Sequence, residues 1–245
     1  MTKLSVNVNK IALIRNSRDT DYPNVSNMAR RAIAAGAHGI TVHPRPDQRH
    51  IRYSDVHELS ALTGRHPDVE FNIEGNPIPD FLKIVKDVRP DQCTLVPDDP
   101  NQLTSDHGWN LEKDSESLRS IVSDLQSAGI RVSLFMDPVR EQIGRVKHVG
   151  AERIELYTEP YAHAFGTSDE DAVWKSFSEA ALHAESLEIG VNAGHDLNLQ
   201  NLPKFLTIKP ILEVSIGHAI VVESFDHGFE GTLGRYLEII SKFGS

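Results

Sequence analysis

Gly39-Ile40-Thr41-Val42-His43-Pro44-Arg45-Pro46-Asp47-Gln48-Arg49-His50 sets a short β-branched apolar run directly against histidine, proline, arginine and a second histidine. Ile, Thr and Val favour a pleated backbone, and the prolines stop it, so the run reads as a buried strand that delivers ionisable groups to one end. The same grammar returns at Phe71-Asn72-Ile73-Glu74-Gly75-Asn76, at Gly190-Val191-Asn192-Ala193-Gly194-His195 and at Val214-Ser215-Ile216-Gly217-His218. Four apolar runs that each close on a polar or titratable residue predict a barrel whose strand ends carry the site.

Outward from this stretch, strand and helix take turns. Leu4-Ser5-Val6-Asn7-Val8-Asn9 alternates apolar and polar with period two and predicts the first strand. An arginine-rich polar loop is expected after it. Asn24 can then cap a helix through Met28, Ala32 and Ile33 that stops at Gly36. Further strands are expected over 69–74, 92–96, 130–135, 154–158, 189–193 and 212–216. Helices are expected over 54–64, 78–88, 139–149 and 168–187, with another capped by Ser115 and a helical tail over 229–242. A longer polar loop covers about 98–113. At Ala35-Gly36, Ala128-Gly129 and Val149-Gly150 a helix ends on glycine just before a strand begins.

Eight such units in 245 residues match the roughly 250 residues of a single-domain (β/α)₈ TIM barrel spanning 1–245. Parallel strands need helical crossovers and are buried on both faces. The rival is an open doubly wound sheet, which ordinarily carries a Gly-x-Gly-x-x-Gly turn or a phosphate loop after its first strand. Neither motif is present here.

Composition narrows the function classes. With a net charge of -10 the chain offers no basic stripe for nucleic acid, and no apolar run approaches the ~20 residues of a membrane span. Met1 to Lys10 alternates like a strand and lacks the layout of a secretory signal, so a cytoplasmic location is expected. The single cysteine, Cys93, allows neither an internal disulfide nor a cysteine-cluster metal site. Positive charge is instead concentrated locally: Lys10, Arg15, Arg18, Arg45 and Arg49 fall at or after the first two strand ends, which suits an anionic small molecule.

In a barrel the C-terminal strand ends face one mouth. That rule gathers Asn7, Asn9, His43, Arg45, Glu74, Glu155, Tyr157, His195, Gly217 and His218 around one cavity. His43, Glu74 and His195 then form an acid/base set able to move protons near neutral pH. The turns at Gly194-His195 and Gly217-His218 follow the seventh and eighth strands, where backbone N–H groups and a helix N-terminus can hold phosphate. Arg18, Arg45 and His50 can clamp a second phosphate; alternatively these arginines lie in a solvated loop paired with Asp19 and Asp47. Neither a His-x-His pair nor a His-Glu-x-x-His helix is present, so no metal site is expected.

The ordered motifs V-N-V-N-K-I-A-L-I-R-N-S-R, G-I-T-V-H-P-R-P-D-Q-R-H-I, F-N-I-E-G, C-T-L-V-P, R-V-S-L-F-M-D-P, I-E-L-Y-T, V-N-A-G-H-D-L and I-G-H-A-I run from residue 6 to residue 220. Together they resemble the pyridoxine 5′-phosphate synthase family. The resemblance implies an octameric (β/α)₈ barrel that condenses 1-deoxy-D-xylulose 5-phosphate with 3-amino-2-oxopropyl phosphate, without a protein-bound cofactor. It puts His43 and Glu74 in proton-acceptor places and His195 in the proton-donor place. It puts Asn7, Arg18, Arg45, His50, Thr104, Gly217 and His218 on substrate-binding positions. Two positions depart from the family pattern: Asn9-Lys10 stand where Asp-His is usual, and Asp196 stands for a glycine. Lys10 is expected at the deoxyxylulose phosphate end. Another phosphosugar isomerase or aldolase barrel, a divalent-metal lyase and a noncatalytic binder of a phosphorylated metabolite remain as rival readings of the residues.

Overall fold

The computed structural model describes residues 1–99, 102 and 104–244. Eight parallel strands close in sequence order: β1 (Lys3–Asn7), β2 (Gly39–Val42), β3 (Glu70–Gly75), β4 (Gln92–Leu95), β5 (Arg131–Met136), β6 (Arg153–Tyr157), β7 (Gly190–Gly194) and β8 (Ile211–Ile216). Ser5 pairs with Gly39 on one side and Ser215 on the other, so β1 joins β2 to β8 and no strand edge is left open. The closed barrel replaces the open-sheet rival.

The period-two pattern decides what each strand buries. Leu4, Val6, Ile40, Val42, Ile73, Cys93, Leu95, Val132, Leu134, Ile154, Leu156, Val191, Ala193 and Val214 are all fully buried and join one apolar core with the helix-borne Ala29, Leu59, Val85, Leu125, Phe177 and Leu233. The alternate residues point inward and are mostly polar, with Phe135 and Tyr157 as aromatic exceptions at the mouth. Asn192 on β7 reaches Gln92 on β4 across the barrel (3.4 Å), and Lys3 on β1 reaches Glu70 on β3 (2.6 Å). Ser5–Thr41 (2.7 Å), Thr41–Asn72 (3.4 Å) and Asn72–Thr94 (3.1 Å) form a second tier above. Branched apolar residues usually fill a barrel interior. Here hydrogen-bonded polar side chains do so, and the apolar core lies between strands and helices.

Several local expectations are corrected. A helix, Asn9–Asn16, begins two residues after β1 where a polar loop was expected; Ile11, Ala12 and Arg15 form its buried face. The helix Leu111–Ser127 starts ahead of Ser115, because the Asn110 side chain accepts from the Glu112 N–H (3.2 Å) and caps it. Ser115 lies inside that helix and its hydroxyl donates to the Leu111 carbonyl. The expected helix over 139–149 is two short ones, Arg140–Ile143 and Val146–Val149, separated at Gly144. Short helices Glu159–Ala164 and Leu202–Phe205 and the longer His218–His227 were not anticipated. Asn24 caps its helix as expected, accepting from Asn27 N–H at 2.7 Å. Gly36, Gly129 and Gly150 adopt the positive φ that their helix-ending role demands.

Candidate active site

His43 follows β2 directly, and its peptide N–H donates to Asn9 Oδ1 (2.9 Å). The Asn9 N–H donates in turn to Asn7 Oδ1 (2.9 Å). The asparagine pair therefore holds the β1 end and sets the backbone from which the imidazole projects. Glu74, the fifth residue of β3, points inward, and its Oε2 lies 4.0 Å from His43 Nδ1. Both side chains are buried.

Burial acts oppositely on the two groups. It pushes the Glu74 carboxyl well above its ordinary 4.5, and the neighbouring charges of Glu155, Asp98 and Glu213 add to this while Arg45 opposes. It pushes the His43 imidazole well below 6.5, aided by Arg45, His50 and His195. Burial thus favours the protonated carboxyl of Glu74 and the neutral imidazole of His43, so the two neighbours are tuned in opposite directions.

His195 follows β7 in the left-handed region (φ 81°), and so does Asp196 (φ 59°). Residues other than glycine rarely adopt this conformation. The Thr158 hydroxyl binds both the Gly194 carbonyl (2.7 Å) and the His195 carbonyl and pins the turn. The imidazole stands edge-on to Tyr157 and tilted against Phe135, with ring centroids 5.2 Å from each. Burial lowers its pKa below 6.5, against the raising influence of Asp196 and Asp98. Phe135 and Tyr157 are inward-facing alternates on β5 and β6; Tyr157 was expected at the mouth, and for Phe135, which was not, that period-two placement was the available signal.

Glu155 lies beneath this group. Burial, with Glu213 as a neighbouring charge, raises its carboxyl to about 8. A Cβ on Gly194 would come within 2.3 Å of Glu155 Oε1, so a side chain there would push the Glu155 carboxyl aside. Gly217 is similar: a Cβ would meet the Asn7 carbonyl at 2.9 Å and Asn7 Cβ at 3.0 Å. That close approach brings the N-terminus of His218–His227, which has no side-chain cap, against the β1 end.

The arginine-rich turn is built differently from the expected clamp. Arg45 is buried and donates to Asp98 Oδ2 (2.6 Å) and to the Gln102 carbonyl (3.2 Å). Its partner is therefore Asp98, not Asp19 or Asp47; Arg49 is the residue that pairs with Asp47 (2.7 Å). Arg15, which was not placed in the site, is locked to Asp55 by two hydrogen bonds (2.6 and 2.9 Å) and supports the His50 carbonyl (3.1 Å). The His50 ring lies 6.2 Å from the His43 ring, and burial with Arg45 and Lys10 nearby lowers its pKa to about 4. Lys10, Arg18, Thr104, Asp196 and His218 are exposed. The Lys10 charge is felt at both His50 and His195, which puts it at the rim. Among the described residues no group of three or more His, Cys, Asp or Glu side chains is arranged to hold a metal ion, and no helix is long and apolar enough to cross a membrane.

Comparison with known proteins bears on the fold and on the family. Solved structures that share the barrel include a tryptophan synthase alpha-subunit from Pyrococcus furiosus (TM-score 0.64, 14% identity, 98% of this chain and 97% of that one) and a phosphoribosyl anthranilate isomerase from Thermus thermophilus (0.57, 12%, 98% and 99%). At such identities the likeness is one of fold. Curated relatives named pyridoxine 5′-phosphate synthase are far nearer. The one from Xanthomonas axonopodis pv. citri is 51% identical over 98% of this chain and 96% of its own length, and the one from Albidiferax ferrireducens is 47% identical over 98% of both. The family model described as pyridoxal phosphate biosynthesis protein PdxJ matches residues 4–242, and this chain belongs to that family.

Proposed function

We propose that this chain is an enzyme of vitamin B6 biosynthesis that condenses 1-deoxy-D-xylulose 5-phosphate with 3-amino-2-oxopropyl phosphate, closing a pyridine ring and releasing phosphate and water. The observation that carries the reading is the pair of oppositely tuned neighbours, Glu74 and His43, in the mouth of a PdxJ-family barrel. Imine formation, loss of phosphate and aldol-type ring closure each move a proton. His43 takes protons in its neutral form, Glu74 supplies and recovers them, and His195, held against Tyr157 and Phe135, protonates a leaving or carbonyl oxygen.

The substrate phosphates are assigned to the rim. The helix N-terminus at Gly217-His218, beside Asn7, receives one of them. His50, Lys10, Arg18 and Thr104 serve the deoxyxylulose phosphate end, with Arg45, Asn9 and Asp196 as further contacts. The substrates bring their own carbonyl and amine reactivity, so the proposal includes no protein-bound cofactor. A Schiff-base aldolase is the weaker reading: Lys10 is exposed, and Lys3, at the opposite end of β1 from the mouth, is bound to Glu70. By family resemblance the chain assembles as a homo-octamer in the cytoplasm, and light scattering of the purified protein tests the assembly.

The decisive experiment supplies both phosphorylated substrates and follows pyridine-ring absorbance together with phosphate release. Stoichiometric appearance of both is expected. Substrate consumption without a pyridine ring returns the chain to the isomerase or aldolase class, and tight binding without turnover returns it to the noncatalytic binders.

A further inference from the structure

Asp98 is the least explained charged group in the mouth. It is 2% exposed, three residues beyond the end of β4, and lines a cleft with His43, Arg45, Asn76 and Ile78. Its Oδ2 accepts from Arg45 (2.6 Å) and from the Ser105 hydroxyl (2.6 Å). Its Oδ1 is buried and has no hydrogen-bond partner among the described residues. A buried carboxylate oxygen left unpaired is costly. Such an atom on a residue that lines a cleft points to a donor that arrives with the ligand.

The pairing also decides what Arg45 can recognise. A phosphate brought to this guanidinium would meet the Asp98 carboxylate as well, and the two anions would repel. A hydroxyl group fits both sides: its oxygen accepts from a free Arg45 N–H while its hydrogen goes to Asp98 Oδ1. We infer that Asp98, with Arg45, forms a donor–acceptor fork that reads a hydroxyl group on the carbon chain of the sugar phosphate, and that Asp98 is a specificity-determining residue of this site. The inference rests on the proposed phosphosugar substrate. It separates Arg45 from the phosphate-binding groups among which the sequence put it. Asp98 also belongs electrostatically to the reacting centre, since its charge is felt at Glu74 and at His195.

The test measures binding of 1-deoxy-D-xylulose 5-phosphate and of its 3-deoxy and 4-deoxy analogues by titration calorimetry, first to the wild-type protein and then to Asp98→Ala. For the wild type, removal of one of the two hydroxyls is expected to weaken binding by about ten- to a hundred-fold, the cost of leaving a buried charged acceptor unpaired. Asp98→Ala is expected to bind the parent compound that much more weakly, yet to bind parent and sensitive analogue equally. A wild-type protein that binds all three alike overturns the inference without any variant, so a misfolded Asp98→Ala does not protect it. So does a folded Asp98→Ala that still distinguishes parent from analogue as the wild type does. Turnover separates the two proposals: hydroxyl discrimination with no ring formation sinks the proposed reaction alone, whereas ring formation without hydroxyl discrimination sinks only the role of Asp98.

Discussion

His43 Nδ1 and Glu74 Oε2 stand 4.0 Å apart, too far for a hydrogen bond and close enough for one atom of a substrate to bridge them. The two groups are tuned in opposite directions: burial raises the carboxyl well above its ordinary 4.5 and lowers the imidazole well below 6.5. The protonated acid and the neutral base are the forms that burial favours on the two sides of a bridging atom.

Removal of the carboxyl proton should be felt in turnover and not in folding. Glu74→Gln keeps the shape and adds no charge to a buried site that already disfavours one, so no loss of melting temperature is expected. The kcat should fall by roughly 10²- to 10⁴-fold, the usual contribution of a positioned acid or base. A folded variant that forms product at the wild-type rate removes Glu74 from the mechanism.

Activity should persist into acid. The imidazole of His43, the proposed proton acceptor, is lowered well below 6.5, so its neutral form survives below the pH at which a free histidine charges. The acid limb of kcat/KM is expected below pH 6.5, which a rate profile from pH 4.5 to 9 reads directly. An acid limb at or above 6.5 contradicts the tuning.

The carboxyl of Glu213 makes stability depend on pH. Burial, with Glu70 nearby, raises it to about 7 from an ordinary 4.5, so between these values the folded chain binds a proton that the unfolded chain has released. Stability from this group is full below about pH 4.5 and declines as pH rises through about 7. Histidines such as His50, lowered to about 4, contribute in the opposite direction as pH rises towards 6.5. The difference between wild type and Glu213→Gln isolates the carboxyl. Urea midpoints at pH 5 and pH 8 should show the variant gaining relative to wild type at the higher pH, and an unchanged difference counts against the assignment.

Beneath the site, Arg15 and Asp55 form a bidentate buried pair, and Asp55 Oδ2 also accepts from the Arg52 N–H (2.7 Å) at the start of the helix Tyr53–Thr63. Asp55→Ala strands a buried guanidinium and should destabilise the protein by about 3–5 kcal/mol, read as a lower denaturant midpoint. A loss under about 1 kcal/mol would show that Arg15 finds water or another partner.

At the other rim, Gly217→Ala forces a methyl group to within 2.9 Å of the Asn7 carbonyl and displaces the helix N-terminus assigned to a phosphate. The KM for 3-amino-2-oxopropyl phosphate should rise by about ten-fold or more, as expected when roughly 1.4 kcal/mol of anion binding is lost. An unchanged KM moves that phosphate elsewhere.

The eight strands in their order and the mouth they share were legible in the sequence, whereas the helices that directly follow β1, β6, β7 and β8 were not. Helix-ending glycines and strand-ending His43, Glu74 and His195 are local signals, and a parallel barrel brings strand ends together whatever their separation along the chain. It also carried, in the alternation Phe71-Asn72-Ile73-Glu74 and its counterparts, a polar barrel interior that becomes visible only when all eight strands are read together. Tertiary structure alone decided the pairings. Arg45 found Asp98 from 53 residues away and Arg15 found Asp55 from 40. The opposite pKa shifts of Glu74 and His43 follow from a desolvation that no local pattern encodes, because the cost of charge depends on what the folded chain puts around it.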